Sequence, residues 1–502
     1  MGKERGHFAL AIIVSVIAIN FFTWPAQKYF GDADAVRVQT ANLLNTGEWN
    51  VPQGIAEQYG PRGQYFYQNA NGHWYPKYGV LNTLIYTPIL WLEKVTTGSL
   101  IIDSPDCLLY LNLFNLVLSG ATAFYLVLLA RRYTESKAIV VIFVMASLYS
   151  TFWWNYLRAQ TFEIYHTLFM VAFYYHFVTA LGLYRSGEDR RRCDLQFFVA
   201  AIYFGALCLY KSVYVVLLPA IIAILVGAEQ KMSILHNGRK DRILRTLLFF
   251  WLPIGIALCI LAGTNWSRFG SPFATGYTQW ATESQLFKAS NVLPALWGFA
   301  FSAQRSAFLC YPVLLFALAG WPMFFKKHRL DAVAAGLFGL LLLLINSAFT
   351  NWGGQASYGP RYLLPILPIL GLPFIHYLTW LLDLPSKLTR SLLITVTSAS
   401  LAYSLLLQVC VNTMPFFFYY SVRDILEDRH HSKPARYLRS RHFGTVNRDF
   451  LLFRFGYASF FTSGFINLLN ASESERMNEL NQSAQLNYYW FATPPENEDE
   501  IN

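Results

Sequence analysis

Long apolar stretches alternating with short cationic connections constrain this chain more than any other feature. A helix crossing a bilayer takes roughly 17 to 25 mostly apolar residues, because it rises about 1.5 Å per residue across a hydrocarbon layer of about 30 Å. Eleven stretches approach that length: His7 to Trp24, Leu108 to Ala130, Ala138 to Trp154, Thr161 to Leu183, Leu195 to Tyr210, Val213 to Val226, Thr246 to Gly263, Ser306 to Phe325, Ala332 to Phe349, Tyr362 to Leu382 and Ser391 to Cys410. With the N-terminus in the cytoplasm, the cytoplasmic connections collect 19 Lys and Arg, among them Arg190, Arg191, Arg192 and the group from Lys231 to Arg245. The opposite side carries 11 before residue 411, spread over much longer loops. Cations stay behind on the cytoplasmic face when helices insert, so this asymmetry orients the chain.

Composition agrees. At 55% hydrophobic, 17% aromatic and 14% charged, with mean hydropathy +0.33, the chain holds more apolar surface than a water-soluble core can hide. The reading is an all-α polytopic membrane protein of about 11 spans. Its formal charge of +10 would point to nucleic acid in a soluble domain; here the cations flank apolar helices, and a nucleic-acid partner is excluded. The six cysteines show no paired spacing, which gives no disulfide framework and no zinc site. The N-terminal apolar run ends in bulky residues without a small-x-small cleavage site, so it reads as a retained first helix.

Two segments shape the outer side. Gly79 to Leu92 is apolar but short and contains Pro88, which suits an interfacial or re-entrant helix in the first outer loop. Leu195 to Val226 is too long for one span, and Lys211 at its middle is costly in hydrocarbon, so two helices are expected to meet there at the outer interface. Residues 1–411 then form a membrane module with outer loops at 27–107 and 264–305, and 412–502 form a tail or small domain on the outer face. No internal repeat is visible, which weakens a transporter reading.

Chemistry-bearing residues collect on that face. GDADAVR places Asp32 and Asp34 after the first helix. Either aspartate can cap a helix, act as a general base on a hydroxyl, or join a divalent-ion site that two carboxylates alone leave unspecified. Lys77 and Tyr78 lie in YPKYG, Arg158 and Glu163 in YLRAQTFEIYH, Lys211 in LYKS, Tyr277 in RFGSPFATGY, Arg305 in FSAQR, and Tyr358 and Arg361 in WGGQASYGPRY. A lone cation at a helix end is an interface anchor. Several on one face, with Gly353, Gly354 and Gly359 allowing close backbone approach, form a phosphate-binding surface. His166 and His176 read as helix-face fillers.

The order of these motifs from Gly31 to Pro368 resembles the GT-C superfamily of polytopic glycosyltransferases that use polyprenyl-phosphate sugars, in particular the protein mannosyltransferase and lipid A aminoarabinose transferase groups. The resemblance implies a GT-C-like bundle and an acidic residue of the first outer loop acting on the acceptor, a role that falls to Asp34 with Asp32 second. It further implies donor-phosphate binding by Lys77, Lys211, Arg305 and Arg361. Arg37, Tyr78, Arg158, Glu163, Tyr277 and Tyr358 are placed as support. The pattern departs from the common Asp-Glu dipeptide, since Ala33 and Ala35 follow the two aspartates.

The expected activity is sugar transfer from a polyprenyl-phosphate donor to a hydroxyl of a glycan, lipid or protein acceptor at the periplasmic face of a bacterial inner membrane. No cofactor is firmly implied, a divalent metal at Asp32 and Asp34 being the alternative. A ligase or polymerase with a pyrophosphate-linked glycan is the rival enzyme. A lipid-linked sugar flippase is the rival of another class, but it should line a path across the bilayer with charge rather than gather it at one face.

Overall fold

The structure, a computed structural model, describes residues 3–23, 32–58, 65–98, 100, 105–158, 161–187, 189–233, 239–280, 286–301, 306–350, 352–353 and 359–413. Arg305, Tyr358 and the expected outer tail beyond residue 413 lie outside these.

The described chain is helical apart from one small hairpin. Seven helical stretches are long and apolar enough to cross a membrane: Leu109–Arg131, Glu163–Ser186, Arg190–Tyr210, Ser212–Gln230, Lys240–Phe269, Arg329–Ala348 and Lys387–Val409. The other expected spans are shorter or broken, and proline explains two of them. In the stretch Ser306 to Phe325, Pro312 pushes Tyr311 out of the helical region (φ −149°, ψ 76°) and splits Ala307–Cys310 from Val313–Lys327. In the stretch Tyr362 to Leu382, Pro365, Pro368 and Pro373 divide the chain into Arg361–Leu363, Leu367–Leu370 and Pro373–Leu382. The first helix ends at Phe22, and Lys137–Tyr149 stops before a separate short helix, Trp153–Arg158. The last helix runs to Thr413, slightly past the expected module boundary.

Glu163–Ser186 is central and packs along Arg190–Tyr210, its antiparallel neighbour. Between them and the adjoining helices lies an aromatic core, with Phe173 stacked on Phe177 and both rings against Phe338. The outward faces are apolar as well: Leu195, Phe198, Ile202, Leu252, Ile256 and Ile260 are exposed at helical spacing. That inverts a water-soluble helix and matches a surface solvated by lipid.

The chain breaks at Lys211, as expected. Arg190–Tyr210 ends there, Lys211 is extended (φ −151°, ψ 114°), and a tighter helical turn, Ser212–Leu217, follows. The short apolar segment containing Pro88 is part of an 18-residue helix, Val80–Thr97. Ahead of it, Phe66–Gln68 pairs antiparallel with Trp74–Pro76, a hairpin the sequence reading did not anticipate.

Candidate functional site at one end of the helix bundle

Asp32 opens the helix Asp32–Thr46 and is the hub of the site. Tyr78 Oη donates to its Oδ1 at 2.6 Å, and Arg361 Nη2 lies 3.5 Å from its Oδ2. The same guanidinium reaches Glu163, the first residue of Glu163–Ser186, with Nε 3.6 Å from Oε1. Lys211 Nζ sits 4.3 Å above the Tyr362 ring centroid and 5.8 Å from that of Tyr277. Lys77 Nζ lies 5.7 Å from the same Tyr277 ring and 5.5 Å from Tyr78. The ammonium groups thus share one aromatic platform, whose ring faces attract cations.

Local structure explains how residues so distant in sequence meet. Lys77 leaves the hairpin with its N–H donating to the Tyr65 carbonyl at 3.0 Å. Two residues on, Gly79 lies so close to the end of Arg190–Tyr210 that a Cβ would stand 2.2 Å from the Tyr210 carbonyl oxygen, so only glycine fits. Asn82 Nδ2 closes the junction by donating to the carbonyls of Gly79 at 3.0 Å and Tyr210 at 3.2 Å. YPKYG is thereby docked on the break that carries Lys211.

Electrostatics follow from this crowding. Burial by itself raises the Asp32 carboxyl, but Arg361, Lys77, the Tyr78 hydroxyl and Lys211 together hold it below the ordinary aspartate value, so it is ionised at neutral pH. Burial lowers Lys211 to about 8, with Glu163 opposing and Arg361 adding to the fall. Lys77 is lowered too, by burial first and with Asp32 opposing. Lys77, Lys211 and Arg361 therefore set three cations against the two carboxylates Asp32 and Glu163. An anionic ligand reaching these half-buried cations would meet favourable electrostatics.

Other expected site residues are placed elsewhere. Asp34 is 2% exposed and ion-paired to Arg37, itself fully buried, within the helix. It is walled off from the opening where Asp32 remains 33% exposed. The two aspartates are committed to different partners, and among the described residues no group of three His, Cys, Asp or Glu gathers in metal-binding range. Arg158 donates through Nε to the Thr23 carbonyl at 2.7 Å and through Nη1 to the Asn412 carbonyl, tying the first helix to the last. Gly359 packs against Phe152.

His166, which reads from the sequence as a helix-face filler, also borders the site. It lines a small pocket with Glu163, Lys211, Tyr214, Asn346 and Arg361, beside the aspartate site. Its spacing of three from Glu163 on one helix was the available signal.

The helical architecture is shared with solved structures of an archaeal oligosaccharyltransferase. One archaeal oligosaccharyltransferase structure from Archaeoglobus fulgidus, in the apo form, superposes with TM-score 0.52 at 14% identity, covering 100% of this chain and 62% of that one. The same enzyme with zinc and sulfate gives TM-score 0.52 at 15% identity over 80% and 52% of the two chains. This chain thus spans less than two thirds of the oligosaccharyltransferase it matches. ArnT from Cupriavidus metallidurans bound to undecaprenyl phosphate is also similar, with TM-score 0.48 and 11% identity over 91% and 77% of the chains. No protein-family model matches the sequence, and no curated protein matches it.

Proposed function

We propose that this protein transfers a sugar from a polyprenyl-phosphate donor to an acceptor hydroxyl, with its site on the non-cytoplasmic side of the membrane. The observation carrying this reading is the convergence of an ionised, partly open carboxylate, Asp32, with the cations Lys77, Lys211 and Arg361 at one end of a GT-C fold.

Asp32 is the general base in preference to Asp34, which is buried against Arg37. As the acceptor oxygen forms its bond to the anomeric carbon, Asp32 takes the hydroxyl proton, and the bond from that carbon to the phosphate oxygen breaks with its electron pair leaving on phosphate. Attack opposite the departing phosphate inverts the anomeric centre. Lys77, Lys211 and Arg361 stabilise the growing phosphate charge, an electrostatic role that is strongest in a site shielded from water. Arg305, on the same expected loop face, joins them. Donor binding also tunes the base: as phosphate draws Arg361 to itself, the weak 3.5 Å contact to Asp32 loosens and the carboxylate becomes a better proton acceptor.

The orientation rests on the cation asymmetry, which places the Arg185 to Arg192 connection in the cytoplasm. The expected 11 spans follow if the shorter helices Gly6–Phe22, Lys137–Tyr149 and Leu367–Leu382 and the broken 306–327 segment also cross, with Val80–Thr97 at the interface. Single cysteines at Gly54 and Ser271 should react with a membrane-impermeant thiol reagent in intact cells, and one at Ser186 should not; the reverse pattern overturns the orientation. The activity is tested with purified protein and undecaprenyl-phosphate and dolichyl-phosphate sugars. Transfer from a pyrophosphate-linked glycan but from none of these would instead establish the ligase reading.

A further inference from the structure

Arg268, near the end of the helix Leu252–Phe269, is 3% exposed, yet among the described residues no carboxylate pairs with it. Its Nη2 instead donates to two backbone carbonyls, that of Tyr78 at 2.8 Å and that of Pro76. These carbonyls belong to the residues on either side of Lys77. The same outer segment returns to Lys77 a second time: a Cβ on Gly276 would stand 2.1 Å from the Lys77 Cα, so the two backbones touch there. Tyr277, the next residue, supplies the ring shared by Lys77 and Lys211. Between these contacts, Asn265 Nδ2 donates to the Pro272 carbonyl at 3.3 Å and closes the turn that brings Gly276 back.

A buried guanidinium is costly to desolvate, and carbonyl acceptors offset only part of that cost. Placed here, it does what apolar packing cannot, which is to hold the carbonyls of Pro76 and Tyr78, the residues flanking Lys77, and with them the direction in which the Lys77 side chain leaves the backbone. We propose that Arg268 is a positioning residue for Lys77: together with Gly276, it clamps Pro76 to Tyr78 so that the Lys77 ammonium is held over the Tyr277 platform toward Asp32. The second outer segment thus acts on the donor site through the first. This rests on Lys77 being a phosphate ligand, as proposed above.

The test separates the clamp from that reading. In Arg268→Gln, whose shorter neutral amide cannot span both carbonyls, amide hydrogen exchange across Trp74 to Tyr78 should rise on the order of tenfold, while exchange in Glu163–Ser186 is unchanged. Unchanged exchange across Trp74 to Tyr78 overturns the clamp regardless of any activity. The affinity for undecaprenyl phosphate should also fall on the order of tenfold, with Arg268→Lys recovering part of it. In a Lys77→Ala background, Arg268→Gln should have almost no further effect, because it acts through the lysine. An equal loss in both backgrounds means that Arg268 contacts the lipid itself or supports the fold generally, and it too overturns the proposal. Loosened exchange with unaltered lipid affinity in both Arg268→Gln and Lys77→Ala keeps the clamp and removes Lys77 from the donor site.

Discussion

The two ends of the helix bundle use charge in opposite ways. At the end carrying Arg185 to Arg192, cations meet carboxylates in close pairs. Arg132 Nε and the Tyr133 hydroxyl converge on Asp331 Oδ2 at 3.1 and 2.9 Å, Arg242 pairs with Glu229 at 3.0 Å, and Arg245 pairs with Asp194 at 2.6 Å. At the other end, beside the close pair of Asp34 with Arg37, Arg361 stands 3.5 and 3.6 Å from two carboxylates it shares, while Lys77 and Lys211 lie on tyrosine faces. Close pairing leaves little for a ligand to add. Loose sharing leaves room for the anionic ligand proposed above, so the contrast between the two ends follows that proposal.

The largest effect that could break this contrast is on turnover. A general base is worth typically 10² to 10⁴-fold, so Asp32→Asn should reduce transfer by about that factor with undecaprenyl phosphate binding retained. Wild-type turnover in that variant would remove Asp32 from the mechanism. The buried pairs should respond in stability instead: Asp34→Ala removes one half of the buried ion pair with Arg37, at a cost of roughly 3 to 5 kcal/mol. Asp331→Ala strands Arg132 at the closed end and should lower the thermal unfolding temperature while the folded fraction still binds lipid. If Asp34→Ala protein unfolds like wild type but has lost turnover, the assignment of the two aspartates is reversed.

A smaller, pH-dependent effect sharpens the open end. Because burial lowers Lys211 to about 8, its ammonium is lost as pH rises through that value, whereas the donor's phosphate keeps its charge. Affinity for undecaprenyl phosphate should therefore weaken above about pH 8, and binding near that pH should take up a proton, visible in calorimetry as heat that varies with the buffer. Lys211→Arg stays charged and should flatten the dependence; a profile identical to wild type would show that another group titrates. The smallest effect belongs to Arg190→Ala at the closed end. Its pair with Asp241 is 73% and 49% exposed, so stability should move by less than about 0.5 kcal/mol.

Much of this was readable from residue order. Helix class and the break at Lys211 follow from the energetics of apolar length and buried charge, which act within one segment. Asn71-Gly72 between two aromatic-rich triplets was a hairpin signal that the membrane-scale pattern overshadowed. The prolines that divide 306–327 and 361–382 were also visible, but mean apolarity says nothing about backbone hydrogen bonds.

The sequence by itself determined that this is a helical membrane protein, because insertion energetics depend on composition and local charge. Which aspartate opens on the cations was decided only by the tertiary structure. Asp32 and Asp34 share the first turn of one helix, where residues two apart point about 200° away from each other. Which side looks into the site depends on where Arg361, Tyr78 and Arg37 sit, and the first of these arrives from more than three hundred residues away. The docking of Lys77 was likewise settled by contacts across the fold, at Gly79 against Tyr210 and at Arg268 against the peptides of Pro76 and Tyr78. Close approach of two backbones leaves no periodic trace in either segment, so packing rather than pattern completes the site.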